Sequence, residues 1–291
     1  MSKYHDLVAR FIAQLETGTR PWARSWVDGA GAGRFVRPLR ANGLAYRGMN
    51  VLALWCAAEE RGFDAPHWMT FNQAKELGGN VRKGAKAAHV FYYGTVEREN
   101  DKGDATLAKF VKTYCVFNVA EVEGLPARFQ PAPAPPAAPE ARIAAAEDFT
   151  HATRATIHHG GNRAYYSPAG DFVQMPQFGQ FENPQAYYAT LFHELTHWTG
   201  SHGRADRPKG QRFGDPAYAL EELVAELGAA FLCSDLRISD EPRADHASYL
   251  AHWANALKAQ PSILMSAASA AERACDYLHA CRAPAIAIAA E

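Results

Sequence analysis

At 291 residues, 48% hydrophobic and 21% charged, the chain has enough apolar content to bury a core and is not globally disordered. No apolar run approaches the roughly 18 residues of a membrane span, and the amphipathic N-terminus lacks the continuous apolar stretch of a secretory signal. Five scattered cysteines without a CxxC pair argue against a disulfide framework and a Cys-rich zinc site, so a reducing, cytoplasmic setting and a monomer are expected.

The net charge of −1 conceals two unlike halves. Residues 1–129 hold 18 basic and 13 acidic side chains, whereas residues 130–291 hold 12 and 18. A basic half joined to an acidic half points to two domains with different partners.

Leu7, Phe11 and Leu15 at helical spacing predict a helix over 3–17, stopped at Gly18. Asn50 is a candidate cap for a second helix that runs through Arg61 and ends at Gly62. Thr70 is the candidate cap of a short helix ending at Gly78-Gly79. Residues 87–97 and 109–119 are aromatic and β-branched, and the polar NDKGD between them predicts paired strands. Gln130 to Glu140 reads QPAPAPPAAPE, an extended spacer that can form neither helix interior nor strand. It divides the chain into a domain at 1–129, a linker at 130–140 and a domain at 141–291. The second domain starts with a helix at 140–155 and a hairpin, AYY-SPAGD-FVQM. Helices at 184–199, 216–233, 245–259 and 265–280 follow. The expected class is α+β: a mixed α+β first domain and a mainly helical second one with a small antiparallel sheet.

Residues 193–197 read His-Glu-Leu-Thr-His. On a helix this spacing puts two imidazoles one turn apart on one face, able to share a metal ion. Glu194, beside the first histidine, is placed to accept a proton from a metal-bound water, making it the candidate catalytic residue. Asn183-Pro184 predicts the helix start and Gly200 its end. A third ligand is needed. His202 falls one residue short of the HExxHxxGxxH spacing and is set aside. The helix after Asp215-Pro216 offers Glu222 and Glu226 one turn apart, among small residues and with no Lys or Arg from 213 to 236. Carboxylates in such company are costly to bury unless paired or metal-bound. Glu222 is therefore the expected third ligand beside His193 and His197, and Glu226 the expected partner of a ligand histidine. The other reading of this helix is an exposed acidic edge. Two imidazoles, one carboxylate and an open position form a catalytic zinc pattern, so one divalent ion, zinc, is the expected cofactor. Tyr165, Tyr166 and Tyr218 are candidate oxyanion stabilisers, and the hairpin could align an extended peptide by strand addition.

In the basic half, residues 20–47 carry six arginines against one acid, interleaved with Trp22, Trp26, Phe35 and Tyr46, and residues 77–95 contain no acid. Cations track phosphates while aromatic rings stack on unpaired bases, a combination suited to single strands. The candidate DNA-contacting residues are Arg20, Trp22, Trp26, Arg40, Tyr46, Arg47, Asn50, Lys83, Lys86 and Tyr92.

LETGTRPWARSW, NGLAYRGMNVLALW, HWMTFNQAKELGGNVRKGAKAAHVFYY and YCVFNVAEVEGLP resemble the N-terminal domain of the ArdC antirestriction family, which TraC-type plasmid primases share. HELTHWTG and RFGDPAYALEELVAELGAAFLC resemble that family's metallopeptidase-like C-terminal domain. The resemblance implies a single-stranded-DNA-binding domain, a gluzincin-like domain with a bound metal, and protection of incoming conjugative-plasmid DNA from host restriction. His193, Glu194 and His197 match the family's HExxH, and Glu222 the glutamate of its EELVAE segment. This chain departs from the family's His-x-Ser-Arg-Leu run, having Ser201-His202-Gly203-Arg204-Ala205. Two further readings stay open: a metallopeptidase acting on a protein substrate, and a DNA-binding protein whose metal is structural.

Overall fold

The computed structural model describes residues 3–18, 37–99, 105–129, 139–207, 216–238 and 246–282. Arg20, Trp22, Trp26, the NDKGD turn and the Asp215 cap lie outside them. The chain forms two compact units. One takes Arg37–Ala134 with the start of the chain up to Ala9, and the other takes Pro135 onward with Arg10–Val36. The boundary near residue 134 falls inside the Pro/Ala run, and a second boundary falls inside the first helix.

That helix, α1 (Lys3–Glu16), buries Leu7, Val8, Phe11 and Leu15 and is followed by Gly18 at φ 79°. Strand β1 (Leu39–Arg40) precedes α2 (Met49–Arg61), which is buried nearly all round from Met49 to Ala58. The α2 cap position is Gly48, not Asn50. Asn50 instead spends its amide on a neighbouring strand, donating to the Phe91 carbonyl at 2.9 Å and accepting the Phe91 N–H at 2.7 Å. At the other end Gly62 takes the left-handed conformation at φ 67°, and its N–H closes on Ala58 and Glu59 carbonyls. Strand β2 (His67–Met69) leads into α3 (Phe71–Glu76), where Thr70 and Gln73 make a reciprocal capping box. After β3 (Asn80–Val81) come the long strands β4 (Ala88–Glu99) and β5 (Ala105–Asn118), antiparallel in register from Ala88↔Val116 to Glu99↔Ala105, and then β6 (Val122–Glu123). The sheet order is β1-β2-β5-β4, with β3 and β6 as a separate pair.

The second unit continues with α4 (Pro139–Thr153) and three strands, β7 (Thr156–His159), β8 (Tyr165–Ser167) and β9 (Phe172–Met175). The β8–β9 hairpin is antiparallel, and β7 adds to β9 in parallel, so the sheet is mixed with β9 central. Four helices complete it: α5 (Pro184–Thr199), α6 (Pro216–Asp235), α7 (His246–Ala259) and α8 (Ser262–Ala280). Phe149, Phe192, Phe231, Trp253, Leu257, Leu264 and Leu278 are buried among them. The buried Trp253 indole donates to the Ala219 carbonyl at 3.1 Å, so its polar end is satisfied. Among the described residues no helix is long and apolar enough to cross a membrane.

Candidate metal centre

Helix α5 presents both histidines because its start is chemically marked. Asn183 accepts the Ala186 N–H at 2.8 Å, and Pro184 takes the first helical position, where no N–H is needed. Gly200 ends the helix at φ −76°, so left-handed freedom is not its purpose. A Cβ there would stand 2.8 Å from Arg207 Nη2, so the glycine clears space for a guanidinium. Four-residue spacing then puts His193 and His197 on one face, with ring centroids 4.8 Å and Nε2 atoms 3.2 Å apart.

The third group comes from α6. Glu222 Oε2 lies 3.6 Å from His193 Nε2, and Oε1 lies 3.5 Å from His197 Nε2. Ligands about 2.0–2.2 Å from a tetrahedral ion stand about 3.3–3.6 Å from one another, so these separations fit one ion at the centre. The outer face of each imidazole meets a carboxylate: His193 Nδ1 stands 3.0 Å from Glu226 Oε1, and His197 Nδ1 stands 3.2 Å from Glu221 Oε1. Around a bound ion these carboxylates would take the Nδ1 protons and leave the Nε2 lone pairs to face the ion.

Glu221 is itself clamped. Arg207 donates from Nε to Oε2 at 2.9 Å and from Nη2 to Oε1 at 2.8 Å, and it also bonds the Thr196 carbonyl at 2.6 Å and Thr199 Oγ1 at 2.8 Å. Burial works against ionising Glu221, but Arg207 and His197 outweigh it and hold the carboxyl below its usual range. Burial also pushes Glu222 upward. Hydrogen bonding to His193, the charge of His197 and the Tyr218 hydroxyl prevail and hold it at about 2.

His193 and Glu194 are each 3% exposed, Glu226 6% and Glu221 7%. Three carboxylates, Glu221, Glu222 and Glu226, thus lie within 3.0–3.6 Å of the two imidazoles, with the Arg207 guanidinium against Glu221 and Glu194 buried next to His193 in sequence. Such a set is stable in a low-dielectric interior when a cation joins it. Helix α6 is not an exposed acidic edge: Leu223 to Cys233 are all buried, so both its faces are packed.

His202 is exposed and stands 3.4 Å from Asp206, away from the cluster. The variant Ser201–Ala205 segment is fastened down by Arg204, which donates to the Trp198 carbonyl at 2.7 Å, chelates Asp171 and lies 4.1 Å over the Trp198 ring. Tyr166 donates to Asp171 at 2.8 Å and accepts from Arg204, so its hydroxyl is committed, while Tyr165 is exposed. Of the three candidate tyrosines, Tyr218 is the one whose hydroxyl reaches the cluster.

In the first unit, Arg47, Lys83, Lys86 and Tyr92 are exposed. Arg40 stands 5.4 Å from the Tyr46 ring centroid. Tyr46 is 7% exposed, and burial, against the pull of Arg40, pushes its hydroxyl up to about 12. Asn50 is occupied by Phe91. The sequence reading passed over Glu221 and Arg207, and Phe110, Lys112 and Tyr114 on β5. The second group was recoverable, because pairing Glu99 with Ala105 fixes Tyr92 opposite Lys112.

A helix-borne pair of histidines facing a glutamate from the next helix defines the second unit as zincin-like, and residues 144–270 match a zincin-like metallopeptidase family. Residues 1–117 match the N-terminal domain of anti-restriction factor ArdC. The fold is similar to the metal-free crystal structure of antirestriction protein ArdC from the R388 plasmid, at 40% identity and a TM-score of 0.82, covering 97% of this chain and 98% of that one. The Mn(II)-bound structure of the same protein gives 39%, 0.80, 97% and 99%. An uncharacterized protein, y4eC, of Sinorhizobium fredii is 39% identical across 95% of this chain and 91% of its own length. DNA primase TraC of Escherichia coli is 35% identical across 94% of this chain, which spans only 27% of that primase. The chain belongs to the ArdC family of antirestriction proteins.

Proposed function

We propose that this chain protects incoming conjugative-plasmid DNA from host restriction by binding it as single strands through the basic N-terminal unit, and that it holds one divalent ion, zinc, at His193, His197 and Glu222. The observation that carries the metal assignment is the triangle of ligand atoms 3.2–3.6 Å apart inside a buried, acid-rich cluster. The Mn(II)-bound structure of the R388 relative supports a divalent ion here. When bound, the ion supplies Lewis acidity and an acidified water. Glu194, buried beside His193, is the residue placed to accept a proton, Glu226 and Glu221 orient the imidazoles, and Tyr218 steadies Glu222. In the first unit, lysine and arginine side chains neutralise phosphates and release counterions, so affinity falls with added salt.

Two assays test this reading. The chain is expected to bind single strands more tightly than duplex, with an affinity that drops steeply as salt rises; equal affinity for both forms contradicts it. In transfer of a plasmid into a restricting host, the parent should raise recovery. Glu194→Ala should lower recovery while keeping its metal if hydrolysis contributes, and undiminished recovery assigns protection to DNA coating alone.

Arg207→Ala is expected to weaken metal binding roughly 10–100-fold, because Glu221 loses its clamp and His197 its orientation. Arg207→Lys should restore little, since an ammonium cannot form the two-pronged contact. Calorimetric titration of the metal-free chain measures both.

A further inference from the structure

The β4–β5 pair exposes apolar side chains on both faces, and one of these faces carries a cluster of aromatic rings around a lysine. Directly opposed residues of an antiparallel pair share a face. Val90–Tyr114, Tyr92–Lys112 and Gly94–Phe110 therefore line one face, and Tyr93–Val111 and Glu97–Leu107 the other. On the first face Tyr92 is 55% and Tyr114 46% exposed, where a solvated strand face is ordinarily polar. The Phe110 ring centroid lies 6.1 Å from that of Tyr92, and Lys112 Nζ lies 5.2 Å from the Phe110 centroid. Gly94 makes this possible: a Cβ there would stand 2.5 Å from Phe110 Cζ, so the ring lies down across the strand. Among the described residues no carboxylate shares this face, and Glu97 belongs to the opposite one.

We infer that Tyr92, Phe110, Lys112 and Tyr114 form a stacking platform for the unpaired bases of single-stranded DNA. The inference rests on the DNA-binding reading above and gives it a location. Aromatic faces accept any base, and a lysine between them meets the phosphates. A protein partner or a second copy is the less favoured occupant, because the middle of a protein–protein interface is depleted in lysine. The platform is also free of the like-charge repulsion that a carboxylate would impose on a phosphate chain.

The test uses the full chain and a fluorescein-labelled oligothymidylate, with anisotropy read at fixed salt. Tyr92→Ala with Tyr114→Ala is expected to lower affinity roughly 10-fold or more, since each lost base stack weakens binding severalfold. Tyr93→Ala, an exposed aromatic on the same strand but the opposite face, should leave affinity within about two-fold, as it removes no stack. Lys112→Ala should reduce the salt slope by about one. Tyr92→Phe with Tyr114→Phe keeps the rings and should bind like the parent, which separates stacking from misfolding. Parent-like binding by the double alanine variant, or equal losses on both faces, overturns the platform while leaving the DNA reading in place. Failure of the parent to bind the oligonucleotide overturns both.

Discussion

Zinc or manganese(II) added to the metal-free chain is expected to raise its melting temperature, and Glu222→Gln to abolish most of that rise. An ion that binds only the folded chain stabilises it by about 2.7 kcal/mol at 100 times its dissociation constant. For a domain of this size that corresponds to roughly 5–10 °C. Glu222 faces both imidazoles across the α5–α6 contact, so an ion held there would add a further link between two helices already joined by packing and by the His193–Glu226 and His197–Glu221 contacts. The glutamine keeps the volume but loses the charge, and the affinity should fall by more than the roughly 10–100-fold expected for a residue behind the ligands. His193→Ala should behave similarly. Scanning calorimetry with and without metal measures the effect, and a metal-induced shift that survives in Glu222→Gln would remove Glu222 from the site.

Gly228→Val should be among the most damaging single substitutions in the second unit. An interior helix glycine costs about 1 kcal/mol relative to alanine, so its presence calls for a packing reason. A Cβ at residue 228 would stand 2.5 Å from Thr196 Oγ1 and 2.6 Å from its Cγ2. Thr196 cannot swing away easily, because its hydroxyl donates to the Phe192 carbonyl at 2.7 Å. On the other side the Cys275 thiol donates to the Gly228 carbonyl at 3.6 Å, so α8 also closes on this point. A side chain here must push α6 off α5, at a cost of about 1–3 kcal/mol or more. It should also weaken metal binding, because Glu222 and Glu226 ride on α6 while the histidines ride on α5. Thr196→Ala in the Gly228→Ala background should recover part of the loss, and the coupling can be read from a double-mutant cycle. A Gly228→Val chain with parent melting temperature and metal affinity would show that the close approach is not what sets the site.

These two positions also mark where sequence reasoning carried and where it stopped. The HExxH pair was legible because helix caps and four-residue spacing act locally: Asn183, Pro184 and the two histidines suffice to predict one imidazole face. Glu222 was legible through an absence, since a helix with acids but no bases among small residues must pair its charge elsewhere. Gly228 and Glu221 were not. The glycine is justified by a threonine 32 positions earlier, and Glu221 by an arginine outside either helix. Neither contact leaves a periodic trace. Asn50 was a plausible cap by residue type, but the long-range demand of the Phe91 backbone prevailed over the local one. Strand β7 escaped notice because four residues with two histidines carry little β pattern, and its pairing to β9 is parallel, so no tight turn announces it. The β4–β5 pair was evident from composition, but which aromatics share a face needed the register.

The most direct test of the account is anomalous diffraction at a metal edge from crystals of the full chain grown or soaked with zinc. The expected result is one strong peak per chain, bounded by His193 Nε2, His197 Nε2 and the Glu222 carboxylate. No peak at that point, or one on other residues while these three stay bare, would contradict the metal-centred reading and leave only the proposed DNA binding to be tested.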